Sequence, residues 1–188
     1  MDGVRLHWLP LGAGGWFVKM NGRVYEWLAA QAGGRDARDL YHSALTLCCD
    51  GVQTVIEMGP STGAPAGPRG VVVEGPVGLP GVAGLRPLRY EIRCWRDGSI
   101  GDIHEAVGDP VPLSERADDS RRIIELAPRV PRLTWGRDEL GAGEMWNSNS
   151  VISWLLTRAG LRAETVRPPN GGRAPGWRAG VTVARRPA

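Results

Sequence analysis

The chain has 188 residues, enough to bury a core without the help of disulfides or a structural metal, so we expect a single domain over residues 1–188. Apolar residues make up 42% and charged residues 23%, and the net charge of +3 is spread along the chain with no basic stripe interleaved with aromatics, so nucleic-acid binding is not expected. Three cysteines without a CxxC pair argue against a zinc site, a redox motif or a disulfide framework, and no apolar stretch approaches the length of a membrane span.

The N-terminal part of the chain combines short apolar runs with glycines. Residues 4–11 predict a strand, and the Gly12–Gly15 cluster is not a phosphate-binding loop, because no Gly-Lys-Ser/Thr follows it. Residues 15–20 predict another strand and Asn21-Gly22 a tight turn. Residues 24–32 fit either a return strand or a short helix, and we favour a helix after Tyr25.

The clearest β signal lies between residues 41 and 58. Two apolar, β-branched runs flank Asp50-Gly51, which is a strong signal for a two-residue hairpin turn. Paired residue numbers should then sum to about 101, and His42 shares one face of the hairpin with Glu57, diagonally across from it. A register slip of one residue would turn Glu57 away.

The middle of the chain alternates short elements with glycine- and proline-rich loops. A helix is predicted over Asp118–Ala127, with acidic residues in its first turn and Pro128 ending it. The other predicted elements are a loop at 59–70, a strand at 71–73, a loop to 87, a strand at 88–95 and a long loop at 131–146.

A well-capped amphipathic helix is predicted from Asn147 to Leu161. Asn147 is a good N-cap, Gly160 predicts a Schellman ending, and apolar residues recur at helical spacing. Ser148 begins that apolar stripe and should face the sheet, whereas the residues on the other side should face water. A final strand is predicted over Ala179–Ala184.

The first turn of this helix is the best candidate for a functional site. Free N–H groups at a helix start favour negative charge, which suits an oxyanion, and Ser148 could attack if His42 took its proton and Glu57 oriented the imidazole. Trp146 could wall a cleft, and Asn147 and Asn149 could bind substrate. Each of these residues also has a purely structural interpretation. Ser148 would be a hydroxyl that bonds to the backbone at a helix start, His42 a structural strand histidine and Glu57 a surface residue. Trp146 would be packed in the core, Asn147 a helix cap and Asn149 a solvated amide.

Short motifs in this chain resemble the circularly permuted papain-like superfamily. They are the Tyr-His-Ser-Ala strand with His42, the Asp-Gly turn, the Val-Ile-Glu strand with Glu57, and the Asn147-Ser148-Asn149 helix opening. That group includes NlpC-type permuted amidases, PPPDE peptidases and lecithin retinol acyltransferase relatives, and the resemblance covers roughly residues 40–160. The chain as a whole also resembles an actinobacterial protein family.

The resemblance implies an α+β fold, an antiparallel sheet packed on a few short helices in a permuted papain-like architecture. We expect the core of the single domain to span about residues 16–161, with 162–188 as a C-terminal extension. The family's nucleophile is a cysteine, and this chain has Ser148 in its place. A serine hydroxyl is not ionised by the helix dipole, which contributes only about 1 kcal/mol.

Three functional hypotheses follow. The first is a degenerate papain-like domain that binds a peptide, lipid or protein partner. The second is a Ser/His-dependent amide or ester hydrolase or acyltransferase, and the third is a structural or assembly protein. None of them calls for a cofactor or a metal, and an odd cysteine count without an N-terminal signal peptide predicts a cytoplasmic location.

Overall fold

A computed structural model describes residues 2–11, 38–61, 70–78 and 88–187 of this chain. These residues form a six-stranded, fully antiparallel sheet and three α-helices, which confirms the α+β prediction. The strands are β1 (Gly3–Pro10), β2 (Tyr41–Cys49), β3 (Val52–Pro60), β4 (Val71–Pro76), β5 (Arg89–Arg96) and β6 (Val111–Ser114). The helices are α1 (Ala117–Leu126), α2 (Ser148–Arg158) and α3 (Trp177–Ala184).

The predicted hairpin is present as β2 and β3, at the centre of the strand order β4-β5-β3-β2-β1-β6. Its turn has positive φ at both central residues, 53° at Asp50 and 77° at Gly51, as the two-residue hairpin turns that match strand twist require. Cys48 pairs with Gln53 and Thr46 with Val55, so the predicted register is confirmed. The strands β4 and β5 also form where the sequence predicted strands.

The sheet extends further toward the N-terminus than the predicted core. The strand β1 lies between β2 and β6, and its Leu6 is fully buried, so the core begins near residue 3 and not near residue 16. The strand β6, which the sequence pattern did not predict, is a four-residue edge strand with a bulge in its pairing to β1. The strand predicted at 15–20, the turn at 21–22 and the helix after residue 25 lie outside the described residues.

The helix α2 begins and ends as predicted. Asn147 is its N-cap in a capping box with Ser150. At its other end Gly160 has a φ of 89°, and the Leu161 N–H bonds to the Leu156 carbonyl, which is the Schellman pattern. The α1 prediction is also confirmed, within a residue at each end.

The strand predicted over Ala179–Ala184 is wrong, because this segment belongs to the helix α3. The helix packs directly on α2, and a Cβ at Gly180 would overlap the Ser150 carbonyl oxygen and the Ser153 hydroxyl. The close approach covers the polar side of α2, where the Ser153 hydroxyl donates to the Trp177 carbonyl (2.8 Å). The prediction that this side faces water is therefore also wrong, and residues 162–188 are part of the core.

The two sides of the sheet bury different residues. The helix face packs against α1 and α2 and contains the main core, with Leu6, Leu45 and Ile56 fully buried. The far face buries a smaller cluster made of Leu9, Ala44, Val55 and Ile100, with Trp95 against it. Side chains alternate between the two faces along each strand, so strand position decides which face a residue joins.

Candidate functional site

The start of α2 is a dense polar cluster held inside the protein. The Asn147 side-chain oxygen accepts from the Ser150 N–H (3.3 Å), and the Ser150 hydroxyl accepts from the Asn147 N–H (3.1 Å). Ser148 is only 6% exposed, as its place at the start of the apolar stripe predicted. Among the described residues, no side chain or backbone group hydrogen-bonds to the Ser148 hydroxyl.

Asn149 joins this helix start to the sheet. Its side-chain oxygen accepts from the Ser43 hydroxyl (2.8 Å), and its amide nitrogen donates to the Tyr41 carbonyl (2.9 Å) and the Pro175 carbonyl (3.0 Å). The residue is 1% exposed. Its amide group is therefore used within the fold, and the predicted substrate-binding role of Asn149 is not supported by its position.

His42 does not face the start of α2. It pairs across the sheet with Leu9 and is followed by Ala44 on the same side, and both of these belong to the far-face cluster. Its neighbour Ser43 points to the helix face instead, as its bond to Asn149 demonstrates. The structure thus places His42 and Ser148 on opposite faces of the sheet, and the predicted nucleophile–base pair is not formed.

The groups around His42 also differ from those predicted for a general base that serves Ser148. Burial lowers the pKa of its imidazole below the usual value, and the negative charge of Asp102 opposes this shift. Among the described residues, the acidic group that acts on His42 is Asp102, from the turn after β5, and not Glu57.

Glu57 is bound to an arginine. It lies opposite Arg93 on β5, whose guanidinium donates to the Glu57 carboxylate (2.9 Å) and also binds the buried Glu91 (3.2 Å). The hairpin register placed Glu57 on the same face as His42 as predicted, but the neighbouring strand supplies its partner. The orienting role predicted for Glu57 is replaced by this ion-pair network.

Trp146, just before the cap, is packed in the core. It is 2% exposed, and its indole nitrogen has no hydrogen-bond partner among the described residues. The ring belongs to the main hydrophobic cluster, so it is not the cleft wall that the sequence suggested.

The polar residues of the helix start instead support the segment that leads into α3. Asn147 and Asn149 both donate to the Pro175 carbonyl, at 2.9 and 3.0 Å, and the Ser150 hydroxyl donates to the Gly176 carbonyl (2.8 Å). Gly176 has a φ of 85°, and a Cβ there would overlap the Asn147 side chain. The first turn of α2 therefore supports residues 175–177 through these hydrogen bonds.

The outer side of that segment lines a cleft of about 570 Å³, the α3 cleft, a size suited to ligand binding. Its apolar lining includes Val166, Ala174, Pro175, Trp177 and Val181. Its charged lining is Arg167, Arg173, Arg178, Arg185, Glu144 and Glu164. These residues come from three stretches of chain that only the folded structure brings together.

The sequence pattern does not predict the α3 cleft. Arg178 and Arg185 are seven residues apart, which places them on one face of a helix but on opposite faces of a strand. Because residues 179–184 read as a strand, the shared exposed face of these two arginines was missed.

A second recess of about 450 Å³ runs along the edge strand β4, between Val71–Glu74 and residues 128–132. It contains one ion pair, in which Arg89 donates to Glu74 (2.6 Å). It does not touch the start of α2, so we treat the α3 cleft as the candidate binding site.

Within the described part of the chain, no group of three or more His, Cys, Asp or Glu side chains is arranged to hold a metal ion. No helix in that part has both the length and the apolar character needed to cross a bilayer. Comparisons with protein-family models, with curated proteins and with solved structures each give no match for this chain.

Proposed function

We propose that this chain is a non-catalytic variant of the permuted papain-like architecture that acts by binding a partner. The observation that carries the proposal is the contact between Asn149 and Ser43. The papain-like resemblance calls for a nucleophile on a helix start to meet a histidine on a strand. In this chain the helix start meets the strand through an amide and a hydroxyl, and the histidine faces away.

This contact does not provide the chemistry of hydrolysis. An amide and a serine hydroxyl are neutral hydrogen-bonding groups and do not take up a proton near neutral pH, so neither serves as a general base. A Ser148 hydroxyl without a base is a poor nucleophile, because the helix dipole contributes only about 1 kcal/mol. The hydrolase alternative, with Ser148, His42 and Glu57 as its residues, therefore lacks its central pair.

The binding role is supported by what the helix start does instead. Its polar side chains hold the segment 175–177, whose outer side lines the α3 cleft. A cleft on rigid, buried supports is preorganised, which lowers the entropic cost of binding. We propose a peptide or protein segment as the partner, and a reducing, cytoplasmic location, in keeping with the free thiols of Cys48, Cys49 and Cys94.

Catalysis is tested with a fluorophosphonate probe that labels active serine hydrolases. We expect no labelling of the wild-type protein above that of Ser148→Ala at equal concentration. A genuine serine hydrolase, run alongside, shows that the probe is active. Labelling of the wild-type protein that disappears in Ser148→Ala would overturn the non-catalytic reading.

Binding is tested by selecting peptides from a random displayed library on the wild-type protein. Selected peptides should lose affinity for Ala174→Trp, in which a large side chain fills the α3 cleft, and keep it for Arg129→Glu, an exposed change outside the cleft. Thermal unfolding of both variants checks that they fold. Equal binding to a folded Ala174→Trp protein would remove the α3 cleft as the site.

A further inference from the structure

We infer that the ligand of the α3 cleft is an acidic peptide segment, with carboxylates on either side of an apolar side chain. The inference rests on the proposed binding function and adds the chemical class of the partner. It is drawn from the charges around the cleft, from the apolar residues inside it and from the way its own acidic residues are bound.

Arginines dominate the charged groups of the cleft. Among the described residues, four arginines and two glutamates line it, so positive side chains outnumber negative ones in this part of the lining. Arg178 is exposed, and among the described residues no carboxylate pairs with its guanidinium. A guanidinium has a planar fork of donors that matches a carboxylate in a bidentate contact. The rim of the cleft therefore favours an anionic ligand.

One of these arginines is held in place by the backbone. The Arg167 guanidinium donates through Nη1 to the carbonyls of Glu164 (2.6 Å) and Val166 (2.9 Å). Neither contact neutralises its charge, because both acceptors are carbonyl oxygens. A side chain held in this way loses less conformational entropy when it binds a ligand.

The protein's own carboxylates illustrate what the cleft binds. The Glu164 carboxylate pairs with Arg185 (3.3 Å), and the Glu144 carboxylate accepts from the Arg178 backbone N–H (3.1 Å). Both contacts lie at the cleft, and each joins a donor in α3 or directly after it to a carboxylate from another stretch of the chain. A peptide carboxylate that approaches Arg178 and Arg167 would extend the same pattern.

The apolar lining sets the second requirement on the ligand. Val181 and Trp177 are each 8% exposed, and Val166, Ala174 and Pro175 lie beside them. An aliphatic side chain that entered this space would leave water, with a gain of about 25 cal/mol for each Å² of apolar surface buried. A ligand that carries carboxylates on either side of an apolar side chain therefore fits the cleft better than a purely polar ion does.

A peptide fits this arrangement better than an anionic bilayer or a nucleic acid. Bilayers attract clusters of basic side chains at an exposed surface, whereas here two glutamates stand among the arginines and the apolar residues are recessed. Single-stranded nucleic acids need exposed aromatic rings for stacking, but Trp177 is buried and its indole N–H donates to the Ala163 carbonyl (2.9 Å).

The experiment measures fluorescence anisotropy with a fluorescein-labelled pentapeptide of two glutamates, a leucine and two glutamates. We expect Arg178→Glu to weaken its binding about tenfold or more, equivalent to about 1.4 kcal/mol. Arg129→Glu makes the same charge change outside the cleft and should leave the affinity within about twofold, because screening limits distant exposed charges. Arg178→Gln removes the positive charge without adding a negative one and should show a smaller loss, and thermal unfolding checks that all variants fold.

Two further probes separate the possible ligand classes. A pentapeptide with glutamines in place of the glutamates should bind about tenfold more weakly or worse, and vesicles of phosphatidylserine and phosphatidylcholine should not displace the acidic peptide. Equal affinity for the glutamine peptide, or vesicle binding that is sensitive to Arg178→Glu, would overturn the acidic-peptide inference. Neither result would touch the non-catalytic binding function, which instead fails if the probe labels Ser148 or a filled cleft still binds selected peptides.

Discussion

The substitution Asn149→Ala tests whether the start of α2 is a structural junction. The side chain makes three hydrogen bonds from a position that is 1% exposed, to the Ser43 hydroxyl and to the carbonyls of Tyr41 and Pro175. Alanine removes all three at once. The Pro175 carbonyl keeps its bond from Asn147 (2.9 Å), so the groups most affected are those of Ser43 and Tyr41.

The expected loss of stability follows from the Ser43 hydroxyl and the Tyr41 carbonyl, which would each lose a hydrogen-bond partner. A buried polar group that loses its partner costs about 1–3 kcal/mol, so two groups predict a loss of about 2–6 kcal/mol in the free energy of unfolding. That is a large share of the 5–15 kcal/mol typical of a domain. A substrate-binding asparagine would show the opposite pattern, with lost binding and little change in stability.

The assay is urea unfolding followed by tryptophan fluorescence, for which the chain has eight tryptophans. Ser43→Ala and the double variant complete a thermodynamic cycle, and the Asn149–Ser43 contact predicts a coupling of about 1 kcal/mol. Thr182→Ala, on the exposed side of α3, serves as a surface control and should change stability by less than about 0.5 kcal/mol. An equally small effect of Asn149→Ala, or strict additivity with Ser43→Ala, would refute the junction.

Three further predictions follow from the same structure. Burial lowers the pKa of His42, so the unfolded state takes up a proton that the folded state resists, and stability should fall as pH drops below about 6.5, with a shallower slope in His42→Gln in pH-dependent unfolding. Gly180→Ala should lose about 1–3 kcal/mol of stability in urea unfolding despite a better helix propensity, because its Cβ would overlap the backbone of α2, whereas Gly101→Ala, with open space around it, should be nearly neutral. Burial raises the pKa of Cys94 to about 11, so about a thousandth of this thiol is ionised at pH 8, and mass spectrometry should find Cys94 poorly alkylated by iodoacetamide in the folded protein and readily alkylated in urea.

The elements that sequence reasoning predicted well are those whose signals are local. The turn at Asp50-Gly51 needs two residues that tolerate positive φ, and those two residues largely determine the hairpin register. The start of α2 needs a side-chain acceptor at Asn147, and its end needs a glycine at position 160. In each case the structure is set within a few residues of chain, so the pattern is visible without the rest of the fold.

The strand prediction for the segment of α3 is wrong because no local signal in the sequence decides between a helix and a strand there. Eight residues of mixed apolar and polar character fit either a short helix or a strand, and short apolar segments are ambiguous by periodicity alone. Packing resolves the ambiguity, since Gly180 permits a close approach of this helix to α2. The same misreading hid the shared face of Arg178 and Arg185.

The features of the candidate site likewise divide into those that the local sequence determines and those that depend on the tertiary structure. The sequence by itself determined that a capped helix begins at Asn147, that Ser148 is buried in its first turn, and that His42 and Ser43 point to opposite sides of one strand. Only the tertiary structure decided which of those two strand residues meets the helix. Both faces of β2 carry apolar side chains, and the helices pack on the face with the larger ones, Tyr41, Leu45 and Leu47, which is the face of Ser43. The choice between a histidine and a serine at the start of α2 therefore depended on packing between distant segments.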